Sequence, residues 1–297
     1  MAKKNILIIK TGALGDVVRT TPILHVLKND NIYWLTSDKA KSLLSKDLVN
    51  IITWKTKSKI KNINFNMVIN LEEDKELTKF AMSLKFKKII GVFLNQYGDL
   101  SYTKESSGWY DMSLISKYKN ANERKAKNKK TYQYYLFKML GHDFKNQPYI
   151  LPIKNTKPNK NIRIGIESRV GDVWPMKAWA HNETLHKKLL KLGYNASMLT
   201  EQPNLLKYIK LINTFDIIIT GDTLAMHIAM GLNIPTICIF NCTSPHEIHD
   251  YNLMEKIISP TLDKAFYRRD YVKKYAGSIP TNLVLDKVLK VIDKNYA

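Results

Sequence analysis

Three short stretches of this chain combine residue types that can do chemistry with backbone features that would hold a substrate. The first is Thr11-Gly12-Ala13-Leu14-Gly15-Asp16. Glycines there permit a tight turn and close approach of a substrate to the main chain, and a helix N-terminus favours negative charge. Asp16 supplies a carboxylate suited to general-base work; its structural alternative is a helix cap or a first-turn acid. The stretch lacks the Gly-Lys-Ser/Thr ending of a Walker loop and is not a full G-x-G-x-x-G fingerprint. The second is Trp174-Pro175-Met176-Lys177-Ala178-Trp179-Ala180. Lys177 can neutralise a diphosphate as a point charge. Solvated lysines are the ordinary case in so basic a chain, but the flanking tryptophans point to a loop that buries against something. The third runs from Ile219 to His227, with Phe240–Pro245 after the next strand. Asp222 and Thr223 open a helix just past a strand end, where amides can cradle a phosphate and side chains can hold sugar hydroxyls. The structural alternatives are a cap for Asp222 and a satisfied core histidine for His227. Thr243 and Ser244 belong to the same region. Glu201, following a strand that ends at Thr200, is a further carboxylate placed to take ribose hydroxyls.

Those residues need elements to position them, and the pattern predicts alternating strands and helices, the mark of parallel α/β architecture. Asn5–Lys10 is a continuous apolar run of the doubly buried kind. A glycine turn follows, then a helix through Pro22–Leu27, with strands at Asn31–Thr36, Met67–Leu71 and Lys88–Phe93. Between Asn95 and Lys130 the pattern breaks down, so this part is expected to be loop-rich, with Lys117–Lys130 a basic stretch. Thr131–Leu140 is predicted to be helical and to end at Gly141. Gln147–Asn161, with Pro148, Pro152 and Pro158, reads as a linker. The second block predicts strands at Ile162–Glu167, Asn195–Thr200, Phe215–Thr220 and Thr236–Phe240. Its helices are predicted at Thr184–Leu192 (closed by Gly193), Leu205–Ile212, Leu224–Met230 and Asn282–Asp293. Two domains are therefore expected, 1–150 and 151–297, forming a cleft onto which the carboxyl ends of the strands open.

Composition limits the classes of function. With 297 residues and 25% charged side chains the chain is globular rather than disordered. The apolar run at its start is too short for a signal peptide or a membrane span, so a cytoplasmic location is expected. Cys238 and Cys242 suggest neither a disulfide framework nor a metal site. The net charge of +21 attracts polyanions: nucleic acid, anionic lipid or phosphorylated glycans. Arginine occurs only at 19, 124, 163, 169, 268 and 269, and this scarcity, with no reader motif, argues against a nucleic-acid-binding protein. The excess of lysine also has the look of compositional drift.

At these residues the sequence resembles a known family. Ile6–Leu27, containing Leu14-Gly15-Asp16-Val17-Val18 and Thr21-Pro22, is similar to the N-terminal signature of the bacterial lipopolysaccharide heptosyltransferases, glycosyltransferase family nine. Lys177-Ala178-Trp179 resembles that family's Lys-x-Trp-Pro loop. Gly221-Asp222-Thr223 through His227, Ile234-Pro235 and Thr243-Ser244-Pro245 resemble its Asp-Thr-Gly-x-x-His and Gly-Pro-Thr-x-Pro stretches. The departures are Ala180 for proline, Leu224 for glycine and Asn241-Cys242 for Gly-Pro. The resemblance implies a GT-B fold, two Rossmann-like parallel-sheet domains facing across a cleft. It also implies inverting transfer from a nucleotide sugar, usually ADP-heptose, to a lipopolysaccharide-core or related hydroxyl, with no metal and no other cofactor. Asp16 would be the base; Thr11, Gly15, Lys177, Asp222 and Thr223 would bind the donor and its phosphates; Glu201, His227, Thr243 and Ser244 are weaker candidates. The expected partners are the nucleotide sugar and an anionic glycan or glycolipid acceptor, with peripheral association at the inner face of an anionic membrane and no nucleic acid. The alternatives are a transferase using another nucleotide sugar on a capsule or protein acceptor, a basic nucleic-acid binder, and an inactive, binding-only relative.

Overall fold

The computed structural model describes residues 3–155 and 161–296. The chain divides into two compact units, Met1–Pro152 and Ile153–Ala297. The division falls inside the proline-rich stretch 147–161; Pro158 lies outside the described residues.

The first unit is built on strands β1 (Asn5–Ile9), β2 (Asn31–Thr36), β3 (Asn50–Thr53), β4 (Met67–Asn70), β5 (Ile89–Leu94) and β6 (Leu100–Tyr102). They lie in the order β3-β2-β1-β4-β5-β6. All neighbours are parallel except β5 and β6, which form an antiparallel edge. The isoleucines and leucine of β1 are fully or almost fully buried, as expected of a central strand covered on both faces. Leu7 and Ile9 pack with Leu35, Ile52, Phe65, Val68 and Phe80 in one cluster. The helices are α1 (Leu14–Thr20), α2 (Lys75–Met82), α3 (Ala121–Lys127) and α4 (Tyr132–Met139). Two of them start on side-chain caps: Asp74 accepts from Leu77 N–H at 2.8 Å and Thr131 from Tyr134 N–H at 3.2 Å, satisfying an otherwise unpaired amide.

The second unit repeats the plan with β7 (Arg163–Glu167), β8 (Asn195–Met198), β9 (Ile217–Gly221), β10 (Thr236–Phe240) and β11 (Met254–Ile258). The order is β8-β7-β9-β10-β11 and every pair is parallel. Helices α5 (Asn182–Lys191), α6 (Leu205–Ile212), α7 (Leu224–Gly231) and α8 (Thr281–Tyr296) complete it. Ile164, Ile166, Ile217, Ile219, Ile237 and Ile239 form one core with Leu185 and Leu189 of α5 and Val284 and Val288 of α8. Gly141 and Gly193 follow α4 and α5 at φ of 77° and 83°. This left-handed conformation turns the chain out of a helix and is least strained in glycine.

Three parts of the sequence reading are corrected. The first helix begins at Leu14 and continues through a 3-10 turn at Thr21–Ile23 into Leu24–Leu27, so Gly15, expected in the turn with Gly12, lies inside the helix. The region 95–130 is not simply loop: it contains β6, a short helix at Ser107–Tyr110 and α3. Helix α3 escapes a reading based on apolar periodicity because none of its residues is buried. Its Arg124, Lys125 and Lys127 sit in the last turn, where the helix dipole favours cations. Strands β3 and β11 and helix α2 were not expected either; β3 and α2 are short and flanked by charged residues that mask their buried faces.

Candidate functional site

Each of the two large sheets has one topological switch point; Thr11, Gly15 and Asp16 lie at the first and Lys177, Asp222 and Thr223 at the second, whereas Glu201 follows β8 and Thr243 and Ser244 follow β10. In the first unit β2 and β3 extend on one side of β1 while β4 and β5 extend on the other. The loops leaving β1 and β4 therefore diverge and open a crevice at the carboxyl edge. The β1 loop and the first turn of α1 carry Lys10 through Asp16, and the β4 loop carries Glu72 and Glu73. Glu72 Oε1 accepts hydrogen bonds from Thr11 N–H at 2.5 Å and Gly12 N–H at 3.3 Å, so the glycine turn is pinned by a carboxylate of the neighbouring strand. A Cβ at Gly12 would project into open space.

Asp16 is not the cap of α1. The capping position is Ala13, and Asp16 lies in the first turn with its side chain 32% exposed. Its oxygens face two cations, Arg19 Nε at 3.0 Å and Lys10 Nζ at 3.8 Å, and Lys10 is also 3.3 Å from Glu72. Burial disfavours the Lys10 ammonium, yet Asp16 and Glu72 outweigh that and hold its pKa above the usual lysine value. Burial pushes the Glu73 carboxyl up, against the opposing pull of Ser113 and Lys10. The Arg19 guanidinium lies 4.2 Å from the Tyr132 ring centroid and 5.7 Å from that of Trp109, and Tyr132 shares a hydrogen bond of 3.0 Å with Thr20. Lys10, Arg19, Glu72, Glu73, Trp109 and Tyr132 were absent from the sequence-derived set. Only Lys10, a charge at the end of an otherwise apolar strand, left a local signal.

In the second unit the switch point lies between β7 and β9, since β8 takes one side of β7 and β9, β10 and β11 the other. Lys177, on the 3-10 turn Pro175–Lys177 of the β7 loop, donates from Nζ to the Asp222 carbonyl at 2.7 Å and to Asp222 Oδ2 at 3.0 Å. Both side chains are largely buried, 20% and 12% exposed. Burial alone would raise the Asp222 carboxyl; the Lys177 ammonium and the His227 ring overcome it and bring the pKa down to about 2. The two loops touch through the main chain as well: a Cβ on Gly221 would come 2.8 Å from the Lys177 carbonyl oxygen. No larger residue fits there without moving a loop.

Thr223 is the capping residue of α7, without a side-chain cap bond, and its hydroxyl is 3.0 Å from that of Thr220. Asp222 is thus a paired carboxylate beside the helix start rather than its cap. His227 is buried beside Asp222, which joins the structural reading of this histidine to an electrostatic part in the site. Asn241 donates to the Ala178 carbonyl at 2.8 Å, tying the β10 loop to the Lys177 loop. Thr243 and Ser244 follow, both buried. Glu201 is exposed and lies outside the Lys177–Asp222 pair, near Arg169. A second charged cluster here went unread in the sequence: Glu167, buried at the end of β7, accepts from Arg169 at 2.9 and 2.6 Å and from the Tyr208 hydroxyl at 2.5 Å. Cys238 and Cys242 are free and buried, and burial pushes the Cys242 thiol up to about 12. Among the described residues no helix is long and apolar enough to cross a membrane.

Two α/β units in one chain, each built on a largely parallel sheet with charged loops at its switch point, are the plan of the GT-B type of glycosyltransferase fold, which the structural matches share. Residues 171–276, which contain Lys177, Asp222 and the β10 loop, match the sequence model of glycosyltransferase family 9 (heptosyltransferase). Solved structures agree over nearly the whole chain. A glycosyl transferase family 9 protein from Veillonella parvula aligns with a TM-score of 0.68 at 14% identity, covering 98% of each chain. Escherichia coli ADP-heptose lps heptosyltransferase II aligns with a TM-score of 0.66 at 15% identity, covering 99% of this chain and 100% of that one. The iron-containing dodecameric glycosyltransferase TibC from enterotoxigenic Escherichia coli aligns with a TM-score of 0.63 at 11% identity, covering 98% of this chain and 77% of that one. No curated protein sequence matches the chain. The second unit thus carries the family 9 signature, and the chain as a whole has the heptosyltransferase fold.

Proposed function

We propose that this protein is an inverting glycosyltransferase that moves a sugar, heptose from ADP-heptose, onto a hydroxyl of a lipopolysaccharide core or a related anionic acceptor. The observation that carries the reading is the buried Lys177–Asp222 pair at the switch point of the family-matched unit. The second unit holds the nucleotide sugar, with Lys177, the amides at Thr223 and the hydroxyls of Thr243 and Ser244 meeting the diphosphate, and Glu201 meeting the ribose. Asp16 is the base. The acceptor oxygen forms a bond to the anomeric carbon, its proton passes to the Asp16 carboxylate, and the carbon–oxygen bond to the diphosphate breaks, leaving a nucleoside diphosphate. Lys10 and Arg19 hold Asp16 in place; Thr11 lies in the turn before α1, and Gly15 is in the first turn of that helix beside Asp16. Lys177 takes the part a metal would have against the diphosphate, so no metal or cofactor is required. TibC is described as iron-containing, which makes chelation a direct check. The protein works in the cytoplasm, at the inner face of an anionic membrane, and its acceptor is drawn in by the cations of 117–130.

Thermal unfolding with nucleotide sugars tests the donor. ADP-heptose at about a hundredfold excess over its Kd should add about 2.7 kcal/mol of stability. A shift with UDP- or GDP-sugars alone transfers the assignment to another donor, a reading favoured by Leu224 standing where the family has glycine. Salt-sensitive duplex binding with no response to any nucleotide sugar would support the nucleic-acid alternative instead.

A further inference from the structure

As the bond to the sugar breaks, the leaving diphosphate gains a negative charge, and stabilisation is greatest where preorganised cations meet it. Lys177 offers less than a full charge for this. Two of its donors already point at the Asp222 carbonyl and carboxylate, and that carboxylate offsets the ammonium. The same edge of the second sheet carries another cation. The segment Phe266–Val272 follows β11 and the short helix Leu262–Ala265, and it is tied to the loops of the other strands. Tyr267 N–H donates to the Cys242 carbonyl at 2.7 Å, its hydroxyl donates to Glu247 Oε1 at 3.0 Å, and Val272 N–H donates to Met176 Sδ at 3.5 Å. The Tyr267 ring meets Trp174 edge-on at 5.6 Å.

The two arginines of this segment differ. Arg268 is matched by Asp270 through bonds of 3.0 and 2.6 Å. Arg269 is exposed and has no acidic or carbonyl partner among the described residues. Its guanidinium lies 5.2 Å from the centroid of the Trp174 ring. The Trp174 carbonyl in turn accepts from Lys177 N–H at 3.0 Å. Arg269 therefore rests on the aromatic shoulder of the turn that carries Lys177. An aromatic face holds a guanidinium without cancelling its charge, and the planar fork suits two phosphate oxygens at once in a way an ammonium does not.

We propose that Arg269 is the second cation of the donor site, held by Trp174 and clamping the diphosphate of the nucleotide together with Lys177. The inference rests on the glycosyl-transfer reading above and adds a residue from a loop that the reading did not use.

Calorimetric titration of the full-length protein with ADP, GDP, UDP and CDP, each against its own nucleoside, tests it. The diphosphate that binds wild type should bind Arg269→Ala about tenfold more weakly, while the nucleoside binds both proteins alike. Arg269→Lys should recover only part of the loss, and Arg268→Ala should stay within about twofold of wild type. Unchanged diphosphate affinity in Arg269→Ala overturns the inference while leaving the function standing. Equal losses for diphosphate and nucleoside also overturn it, because they show that Arg269 only supports the fold of the pocket. A wild-type protein that binds none of the four diphosphates overturns the glycosyl-transfer reading and this inference with it.

Discussion

The two units share a plan but differ in how charge is gathered at the switch point. In the first, two cations and two carboxylates interlock around a glycine turn: Lys10 and Arg19 against Asp16 and Glu72. In the second, a single lysine meets a single aspartate in a buried pair. A network of four groups holds one partly exposed carboxylate in place. A one-to-one pair fixes an ammonium and a helix start against a shared wall, an arrangement suited to anions. The strand orders differ as well, with two strands beyond β1 on one side in the first sheet and a single strand beyond β7 in the second; on the proposed function the first switch point would handle a proton and the second would neutralise charge.

Mutation of each site should break that comparison in a different way. Asp16→Ala is expected to lower turnover by roughly a thousandfold or more, the upper range for a lost general base, with nucleotide-sugar affinity unchanged by calorimetry. Unchanged turnover would remove Asp16 from the role of base and turn attention to Glu73. Lys177→Ala should cost on the order of a hundredfold in kcat, as for other lost electrostatic contacts, and weaken donor binding as well; a neutral result would move the diphosphate elsewhere.

The pairs should also separate by pH. The folded pKa of Asp222 is lowered, from 3.8 to about 2. Its contribution to stability, roughly 2 kcal/mol, is therefore complete above the ordinary carboxylate value and disappears as pH falls through about 2. The folded pKa of Lys10 is raised above 10.5, so its contribution is complete below that value and disappears as pH rises past it. Thermal melts across pH should show the acid arm diminished in a Lys177→Met, Asp222→Asn double variant and the alkaline arm diminished in Lys10→Met. The smallest expected effect is that of EDTA, which should leave turnover unaltered; loss restored by a divalent ion would give the metal the part assigned to Lys177.

Much of this architecture can be read from short-range pattern. Runs such as Asn5–Ile9 and Thr236–Phe240 are apolar on both faces, and α6 runs over the predicted Leu205–Ile212. Asp16, Lys177 and Asp222 stood out because each follows a strand within a distinctive local motif. What escaped the sequence depends on contacts across it. Glu72 reaches Thr11 across 61 positions, and Tyr132 reaches Thr20 across 112. No window of local periodicity contains such pairs. Arg269 stood in the sequence as one of six arginines, and its partner Trp174 lies on a different loop.

Helix α3 buries none of its residues. Its neighbourhood is organised instead by Tyr118, whose ring lies 3.8 Å from the Arg124 guanidinium and 5.4 Å from the Lys117 ammonium. Seven residues without a buried face sit at the limit of what a helix can sustain in water. These roughly two turns should trade their amide hydrogens with solvent sooner than the other helices of the unit. The Arg124, Lys125 and Lys127 of α3 are thus carried on a segment whose backbone order depends little on the sheet beneath.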